Sequence, residues 1–337
     1  MISRIFRYIL PNIQKNVNQG LCQSTSINEC LCRRTISKSF PDIDVNYYCN
    51  MKNISEITKN LTMRKSSADI NSAIHIFNLL KTINSSDNSY DHLKHKLYNI
   101  LDKLPNKTHP VVLDYEDNPQ LLLKINKIKD FGSYQPLEFS EITRRLNLMR
   151  TDKLGNTCGH KSYYFLDQLA ELEEALIKYT ISFLINKQFN LVSVPDILPS
   201  NILESCGMSV NSDRTQIYSL DAIHHGPDLY LSGTAEMSLA GLLMNTIHQK
   251  HSLPLKLAAV SRCYRAETSN VIEERGIYRV HQFSKVEMFI ICTPEESENM
   301  HECLRKTQEE LFSALDLHMR VLDMPAHELG APAYRSM

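Results

Sequence analysis

Two segments in the first third of the chain carry apolar residues at helical spacing. Ile70, Ile74 and Phe77 form the first series, and a second follows the polar stretch 84–89. The second series consists of Leu93, Leu97, Ile100 and Leu104. Spacings of three and four place these side chains on one stripe of each helix. An Asn- and Ser-rich turn between them predicts an antiparallel helical hairpin, although two ordinary helices packed on a core fit the periodicity equally well.

The pattern changes near residue 105. Pro105, Asn106 and Pro110 end the helical spacing, which predicts a domain boundary. Beyond it, the spacing predicts helices over 168–186, 235–247 and 294–317 and strands over 190–197, 216–220, 229–231, 256–264 and 285–292. Pro195 interrupts the first of these strands. Strands at varied intervals, with helices between some of them, predict a mixed α+β domain.

The first forty residues differ in composition from the rest. No acidic residue occurs from Met1 to Asn28, whereas Arg4, Arg7 and Lys15 lie among apolar residues. This composition predicts an organelle-targeting presequence over 1–40, most consistent with the mitochondrion. A disordered or amphipathic terminal arm is the alternative. A secretory signal fits worse, because basic residues and a proline interrupt the apolar stretch.

Overall composition narrows the class of protein. The 337 residues are 42% hydrophobic and 22% charged, with a formal net charge of -1, as in soluble globular proteins. No apolar run approaches the roughly 18 to 20 residues of a membrane-spanning helix. Nine cysteines lack any Cys-x-x-Cys spacing, so neither a zinc site nor a disulfide framework is predicted. A near-neutral charge excludes a histone-like nucleic-acid binder but leaves room for a local basic groove.

The stretch 262–287 carries the clearest chemistry. Arginine and lysine alternate there with glutamate across a predicted strand, loop and strand. The basic residues are Arg262, Arg265, Arg275, Arg279 and Lys285, and the acidic ones are Glu267, Glu273, Glu274 and Glu287. Arginine suits phosphate and a carboxylate receives an amine, so the hairpin could hold a nucleotide and a cationic small molecule. A solvated charged face is the alternative, and no P-loop or Rossmann glycine motif occurs.

Four segments of the chain resemble motifs of one enzyme family. Arg265-Ala-Glu267, followed by Arg-Gly-Ile-Tyr-Arg-Val-His-Gln-Phe-Ser-Lys-Val-Glu over 275–287, resembles the second signature motif of class II aminoacyl-tRNA synthetases in its seryl form. Gly-Thr-Ala-Glu at 233–236 resembles the family's TAE element. The segments 104–110 and 328–335 also match, in the family's order. His281, inside the second motif, is expected to make a structural hydrogen bond.

The resemblance implies an α+β fold with an antiparallel sheet flanked by helices, preceded by a coiled-coil arm that grips tRNA. It divides the chain into a presequence at 1–40, a short tRNA-binding arm at 45–104 and a catalytic domain at 105–337. It implies ATP-dependent activation of serine and transfer to tRNA(Ser) in the mitochondrial matrix, with Mg²⁺ as a further cofactor. A homodimer with Pro195 near the subunit interface is also implied, whereas no protein metal ligands are.

The resemblance assigns roles to individual residues. Arg265, Glu267 and Glu287 are the expected catalytic residues, with Arg265 against the α-phosphate and Glu267 receiving the adenine amine. Serine is expected to bind to Thr234, Ala235, Glu236 and Glu287. ATP is expected to bind to Arg265, Ala266, Glu267, Arg275 and Arg279.

Two features depart from the family. The sequence ends at Met337, soon after the 328–335 element, whereas family members continue to a third motif with an arginine for the ATP γ-phosphate. We therefore expect this 337-residue polypeptide to be incomplete and to show little or no activity. The arm is also short and poor in basic residues, which predicts weak tRNA binding. The alternative function is a catalytically inactive paralogue that acts as a mitochondrial binding or regulatory protein.

Overall fold

The computed structural model describes residues 32–33, 43–84, 87, 89–151, 154, 158–210, 215–268 and 276–337. Its helices are α1 (Val45–Tyr48), α2 (Ile54–Met63), α3 (Ile70–Thr82), α4 (Tyr90–Leu101), α5 (Phe139–Arg145), α6 (Asp167–Asn186), α7 (Ser200–Ser205), α8 (Ala222–His225), α9 (Ala235–Leu243) and α10 (Ser297–Ser313). Short 3₁₀ turns occur at Met51–Asn53, Pro110–Asp114, Lys250–Ser252, Pro294–Glu296 and Ala326–Glu328. The predicted presequence lies outside the described residues except for 32–33.

The strands are mostly short. They are β1 (Cys32–Arg33), β2 (Gln120–Ile125), β3 (Met149–Arg150), β4 (Tyr164–Phe165), β5 (Asn190–Val192), β6 (Ile197–Pro199), β7 (Tyr218–Ser219), β8 (Leu229–Leu231), β9 (Thr246–Ile247), β10 (Leu255–Tyr264), β11 (Gln282–Ile291) and β12 (Met319–Asp323). They pair in the orders β11-β10-β5, β6-β8-β7, β12-β2, β3-β4 and β1-β9. Within the described helices, none is both long and apolar enough to cross a membrane.

The N-terminal helical unit, residues 45–101, contains the predicted hairpin. Asp69 starts α3, because its carboxylate accepts hydrogen bonds from the backbone N–H groups of Asn71 and Ser72. The apolar stripes of α3 and α4 then meet in one cluster, to which α2 also contributes. That cluster contains Cys49, Ile57, Leu61, Ile70, Ala73, Ile74, Ile76, Leu97 and Leu101. The hairpin is confirmed, and α2 covers part of its apolar face.

A long antiparallel pair, β10 and β11, forms the centre of the C-terminal part. The ten residues of each strand pair without interruption from Leu255 opposite Ile291 to Tyr264 opposite Gln282, and β5 adds a parallel strand beside β10. One face packs on α6 and α10 through Ala258, Val286, Met288, Ile290, Leu184 and Leu304. The other face packs on α9 through Leu257, Ala259, Phe289, Ala235 and Leu239. The predicted α+β arrangement of antiparallel strands flanked by helices is confirmed.

The predicted interruption of the strand over 190–197 is confirmed: Pro195, which lacks an N–H group for sheet pairing, lies between β5 and β6. Several other predicted boundaries were wrong. The helix over 235–247 ends at Leu243, just before Asn245 with φ +58°. The helix over 294–317 ends at Ser313, before Asp316 with φ +56°. The strand over 216–220 shrinks to Tyr218–Ser219. The antiparallel pair β2 and β12 was not predicted at all.

The helical unit is attached to the C-terminal part across residue 105. The buried Arg64 side chain of the α2 C-terminus donates to the carbonyl oxygens of Gly330 at 2.7 Å, Ala333 at 2.9 Å and Ala331 at 3.1 Å. Asn60 accepts a 2.6 Å hydrogen bond from the Thr108 hydroxyl. These contacts cross the expected boundary, so the helical unit is anchored to the C-terminal part, while the division at residue 105 stays a prediction.

Candidate active site

The loop before α9 presents Thr234 at the helix N-terminus. Its hydroxyl accepts a 3.3 Å hydrogen bond from the backbone N–H of Glu236 and so caps α9. The buried Ser232 hydroxyl donates to the Thr234 carbonyl at 2.6 Å. A Cβ at Gly233 would lie 3.4 Å from the Tyr264 carbonyl oxygen, so the loop passes directly against the end of β10. Thr234 is therefore held in one orientation.

Alternation along β11 places Phe283, Lys285 and Glu287 on one face of the sheet. There the Thr234 hydroxyl donates to Glu287 Oε2 at 2.8 Å, and the Lys285 ammonium donates to Thr234 Oγ1 at 2.6 Å. Lys285 also pairs with the Glu287 carboxylate. Thr234 and Glu287 are thus brought together although they lie 53 positions apart. The sequence pattern assigned no role to Lys285, but its position two residues before Glu287 in a strand was the available signal.

Arg265 and Glu267 follow the end of β10 and face a neighbouring cleft. The Arg265 guanidinium lies 5.1 Å from the centre of the Phe283 ring. Glu267 is 7% exposed and accepts a 3.3 Å hydrogen bond from Gln216 Nε2. Its Oε2 lies 3.7 Å from Arg279 Nη1. The cleft measures about 370 Å³ and is lined by Tyr163, Phe165, Arg265, Glu267, Ile277, Tyr278, Arg279, Val280 and Phe283. The predicted ATP residues 265, 267 and 279 therefore share one cavity.

His281 stabilises the segment that carries Arg265. Its Nδ1 lies 2.6 Å from the Tyr218 hydroxyl and 3.1 Å from the Arg265 carbonyl oxygen. The backbone N–H of Arg265 in turn donates to the His281 carbonyl at 2.9 Å. Burial, and next the charge of Glu267, raises the pKa of Tyr218, so the phenol keeps its proton. The expected structural hydrogen bond of His281 is confirmed.

The remaining predicted residues lie less centrally. The Ala235 side chain is 1% exposed and packs in the core between its own helix, α9, and the sheet. Only its backbone could therefore contact a ligand. Glu236 is exposed in the first turn of α9 and raises the pKa of Cys206, after the larger effect of burial. Ala266 donates its N–H to the Gln216 carbonyl at 2.8 Å. Arg275 lies outside the described residues.

The charged groups of the candidate site affect a buried thiol. Burial raises the pKa of the Cys263 thiol, whereas its hydrogen bond with Ser261 and the charges of Lys285 and Arg265 lower it and Glu287 raises it. Cys263 pairs with Phe283 near the end of β10, directly before the segment that carries Arg265. Across the part of the chain that the structure describes, no group of three or more His, Cys, Asp or Glu side chains could hold a metal ion.

Comparison with known proteins fits this geometry. Residues 218–336 match the family model of the tRNA synthetase class II core domain (G, H, P, S and T). This part of the chain is similar to a class II tRNA synthetase core. The match includes Thr234, Arg265, Glu267 and Glu287.

Curated proteins similar to this chain are named serine–tRNA ligases. The chain is 39% identical to the mitochondrial enzyme of Mus musculus over 72% of its own length and 47% of that enzyme. The mitochondrial enzyme of Bos taurus is 41% identical over 69% of this chain and 45% of that enzyme. The enzyme of Treponema denticola is 36% identical over 71% of this chain and 56% of that enzyme. The chain therefore spans about half the length of these relatives. The resemblance read from the motifs is confirmed.

Solved structures show the same fold. Seryl-tRNA synthetase from Pyrococcus horikoshii, complexed with ATP, superposes with a TM-score of 0.69 at 28% identity and covers 86% of this chain and 68% of that one. The cytoplasmic serine–tRNA ligase from Naegleria fowleri, in complex with AMP, gives 0.74 at 21% identity, with coverages of 87% and 77%. The second likeness supports the fold alone, and together they confirm the class II architecture of the synthetase core.

Proposed function

We propose that this protein is a serine–tRNA ligase that activates serine with ATP and transfers it to tRNA(Ser) in mitochondrial translation. The observation that carries the proposal is the convergence of Thr234 and Glu287 at 2.8 Å beside the cleft that contains Arg265. A hydroxyl with a carboxylate receives an ammonium group, and an arginine receives a phosphate. The two halves of an amino-acid activation site therefore lie side by side.

The first step joins these halves. A serine carboxylate oxygen attacks the ATP α-phosphorus, the bond from that phosphorus to the bridging oxygen breaks, and pyrophosphate leaves. Arg265 would stabilise the negative charge on the pentavalent phosphorus. In the second step a ribose hydroxyl of the terminal tRNA adenosine attacks the acyl carbon, and AMP leaves. The protein supplies orientation and charge, so no covalent enzyme intermediate is needed.

The cleft offers features suited to a nucleotide. Phe283 and Tyr163 supply aromatic surface against which a purine can stack. Glu267 would receive the adenine amine after exchanging its contact with Gln216, and Ala266 belongs to the same turn. Arg279, at the rim, and Arg275 would contact phosphate. A hydrogen-bonding pocket for the serine hydroxyl would reject alanine, because buried polar groups would be left unpaired.

Mg²⁺ belongs to the proposal as a companion of the ATP phosphates. Mg²⁺ is commonly held by substrate phosphates, water and only one or two carboxylates. Among the described residues no preformed cluster of three metal ligands occurs. The described side chains therefore do not provide a metal cage, and the ion would be held mainly by the ATP phosphates and water.

The assembly and location of the protein are also proposals. The helical arm at 45–104 would contact tRNA, and the catalytic domain would extend over 105–337. A homodimer is supported by large exposed apolar side chains on α6, β5 and β6. These include Leu172, Leu176, Leu191 and Ile197. The mitochondrial relatives and the basic segment at 1–40 support import into the mitochondrial matrix. The catalytically inactive alternative gains no support from the comparisons.

Attachment of serine to tRNA tests the proposal. The protein is incubated with ATP, mitochondrial tRNA and radiolabelled serine, threonine or alanine, and acid-precipitable label is counted. We expect ATP-dependent labelling by serine alone, reduced at least a hundredfold by Arg265→Ala, in line with loss of a transition-state charge contact. Arg320→Ala on β12 is the matched control and should keep wild-type activity. Absence of serine labelling by folded protein would overturn the proposal.

A further inference from the structure

The Lys285 ammonium occupies the position that the proposed function assigns to the amino group of serine. It donates to Thr234 Oγ1 at 2.6 Å and pairs with the Glu287 carboxylate. The Thr234 hydroxyl thereby uses its full capacity, because it donates to Glu287 and accepts from Lys285 and from the Glu236 N–H. In the free protein, the proposed amine site is thus filled by a side chain of the protein itself.

A substrate ammonium cannot simply join this arrangement. Two ammonium groups on one carboxylate repel each other, and Lys285 and Glu287 are only 30% and 21% exposed, so water screens them incompletely. Serine, however, brings a carboxylate together with its amine. Lysine has a flexible four-carbon stem and a compact charge, so its ammonium can move a few ångströms at small cost.

The neighbours of Lys285 indicate where it can move. On the same face of β11, Phe283 lies on one side of it, beneath the Arg265 guanidinium, and Glu287 lies on the other. Lys285 therefore lies between the cleft that contains Arg265 and the proposed amine acceptors, Thr234 and Glu287. A carboxylate that must reach the α-phosphorus from an amine held at Glu287 has to pass this position.

We propose that Lys285 is a positioning residue that exchanges partners: it pairs with Glu287 in the free protein and with the substrate carboxylate once the amine of serine takes Glu287. The inference rests on the proposed function and deepens it. The exchange conserves charge, since one ion pair is replaced by two when a zwitterion enters. It also makes the site selective for amino acids with a free carboxylate over neutral carboxamides and simple amines.

Binding of two ligands separates this role from a merely structural one. L-serine and L-serinamide share the amine and the hydroxyl, but serinamide lacks the carboxylate charge. Affinities are measured by isothermal titration calorimetry with the full chain, for the wild type, Lys285→Met and Lys285→Arg. The charge-conserving Arg variant should retain part of the discrimination.

In the wild type we expect serine to bind more tightly than serinamide. Lys285→Met should weaken serine binding about tenfold, as for loss of one charge-assisted contact. Serinamide should bind unchanged or more tightly, because Glu287 is released. Lys256→Met is the control, and its affinities for both ligands should match those of the wild type. This lysine lies on β10 opposite Ile290, with its ammonium 5.8 Å from the centre of the Phe189 ring.

Equal weakening of both ligands by Lys285→Met, or no change in serine binding, would overturn the inference while leaving the proposed function intact. Failure of the folded wild type to bind serine would overturn the proposed function, and this inference with it. If Lys285→Met does not fold, Lys285→Gln provides the same comparison with a polar side chain.

Discussion

The Arg64 guanidinium donates to the Gly330 carbonyl oxygen at 2.7 Å and thereby joins residues 266 positions apart. The same guanidinium also donates to the carbonyl oxygens of Ala331 and Ala333, so these three acceptors lie in one short backbone segment. Gly207 has φ +85°, and a Cβ added there would lie 3.2 Å from the Pro332 side chain of that segment. The helical unit is thus connected through the 330–333 segment to the loop after α7.

Loss of Arg64 should weaken this connection. Arg64→Met removes three hydrogen bonds to part-buried carbonyl oxygens, although the Gly330 and Ala331 oxygens keep backbone N–H donors. We expect the free energy of unfolding to fall by about 1–3 kcal/mol. Urea denaturation followed by circular dichroism measures the change. Arg144→Met, at an exposed position on α5, is the control and should stay within about 0.5 kcal/mol of the wild type. Equal stability of the two variants would show that the Arg64 contacts contribute little.

A second buried cluster links β12 to the chain near its C-terminal end. Asp323 is fully buried, accepts from Arg335 Nε at 3.0 Å and receives the Tyr115 hydroxyl at 2.8 Å. Asp323→Asn should cost about 3–5 kcal/mol, because Arg335 loses its counter-charge. Arg335→Met should destabilise the Asp323→Asn variant less than it destabilises the wild type. The coupling energy between the two substitutions should be about 1–3 kcal/mol. A double-mutant cycle of urea midpoints measures the coupling, and strict additivity would contradict the pairing.

Stability should depend on pH through His301. Burial, and next the charge of Arg335, lowers the pKa of His301 below its ordinary 6.5, although Glu302 and Asp323 oppose the shift. The unfolded chain therefore takes up a proton before the folded one does, and stability falls as the pH drops below about 6.5. His301→Gln should reduce the difference between urea midpoints at pH 7.5 and pH 5.5. His75→Gln, at an exposed site on α3, should keep the wild-type difference, and an unchanged difference in His301→Gln would refute the assignment.

Thr234 should affect both substrate binding and the helix that it caps. Thr234→Val removes the hydrogen bonds to Glu287 and Lys285 and the cap on Glu236, so we expect serine to bind about tenfold more weakly. Loss of the cap should cost about 1 kcal/mol of stability. Thr234→Ser keeps the hydroxyl and should stay near the wild type in calorimetry and urea denaturation. Equal losses in the Ser and Val variants would contradict the assigned role of the hydroxyl, because the Ser variant retains it.

Local sequence patterns were sufficient to predict elements whose signals lie within one contiguous stretch of the chain. α6 shows its apolar spacing over twenty residues, β8 was located to the residue, and β10 begins one position from its expected start. Motif resemblance predicted Thr234, Arg265 and Glu287 as site residues for the same reason, because each lies in a short contiguous stretch. The structure then added their convergence.

Relationships between distant segments could not be read in this way. The strand β2 carries three consecutive leucines, at 121–123, without the alternation of a half-buried strand, and its partner β12 lies about two hundred positions later. The role of Lys285 depends on its ammonium turning toward Thr234, which strand periodicity does not determine. Likewise, no local feature of α2 indicates that Arg64 reaches the 330–333 segment.

Serine-dependent exchange of pyrophosphate into ATP tests the central claim most directly, because it measures adenylate formation without tRNA. The assay compares the protein with its Arg265→Ala variant, each shown to be folded. We predict exchange with serine but not with alanine, and a loss of at least a hundredfold in Arg265→Ala. Exchange that is independent of serine, or that survives Arg265→Ala, would contradict the assignment of this site.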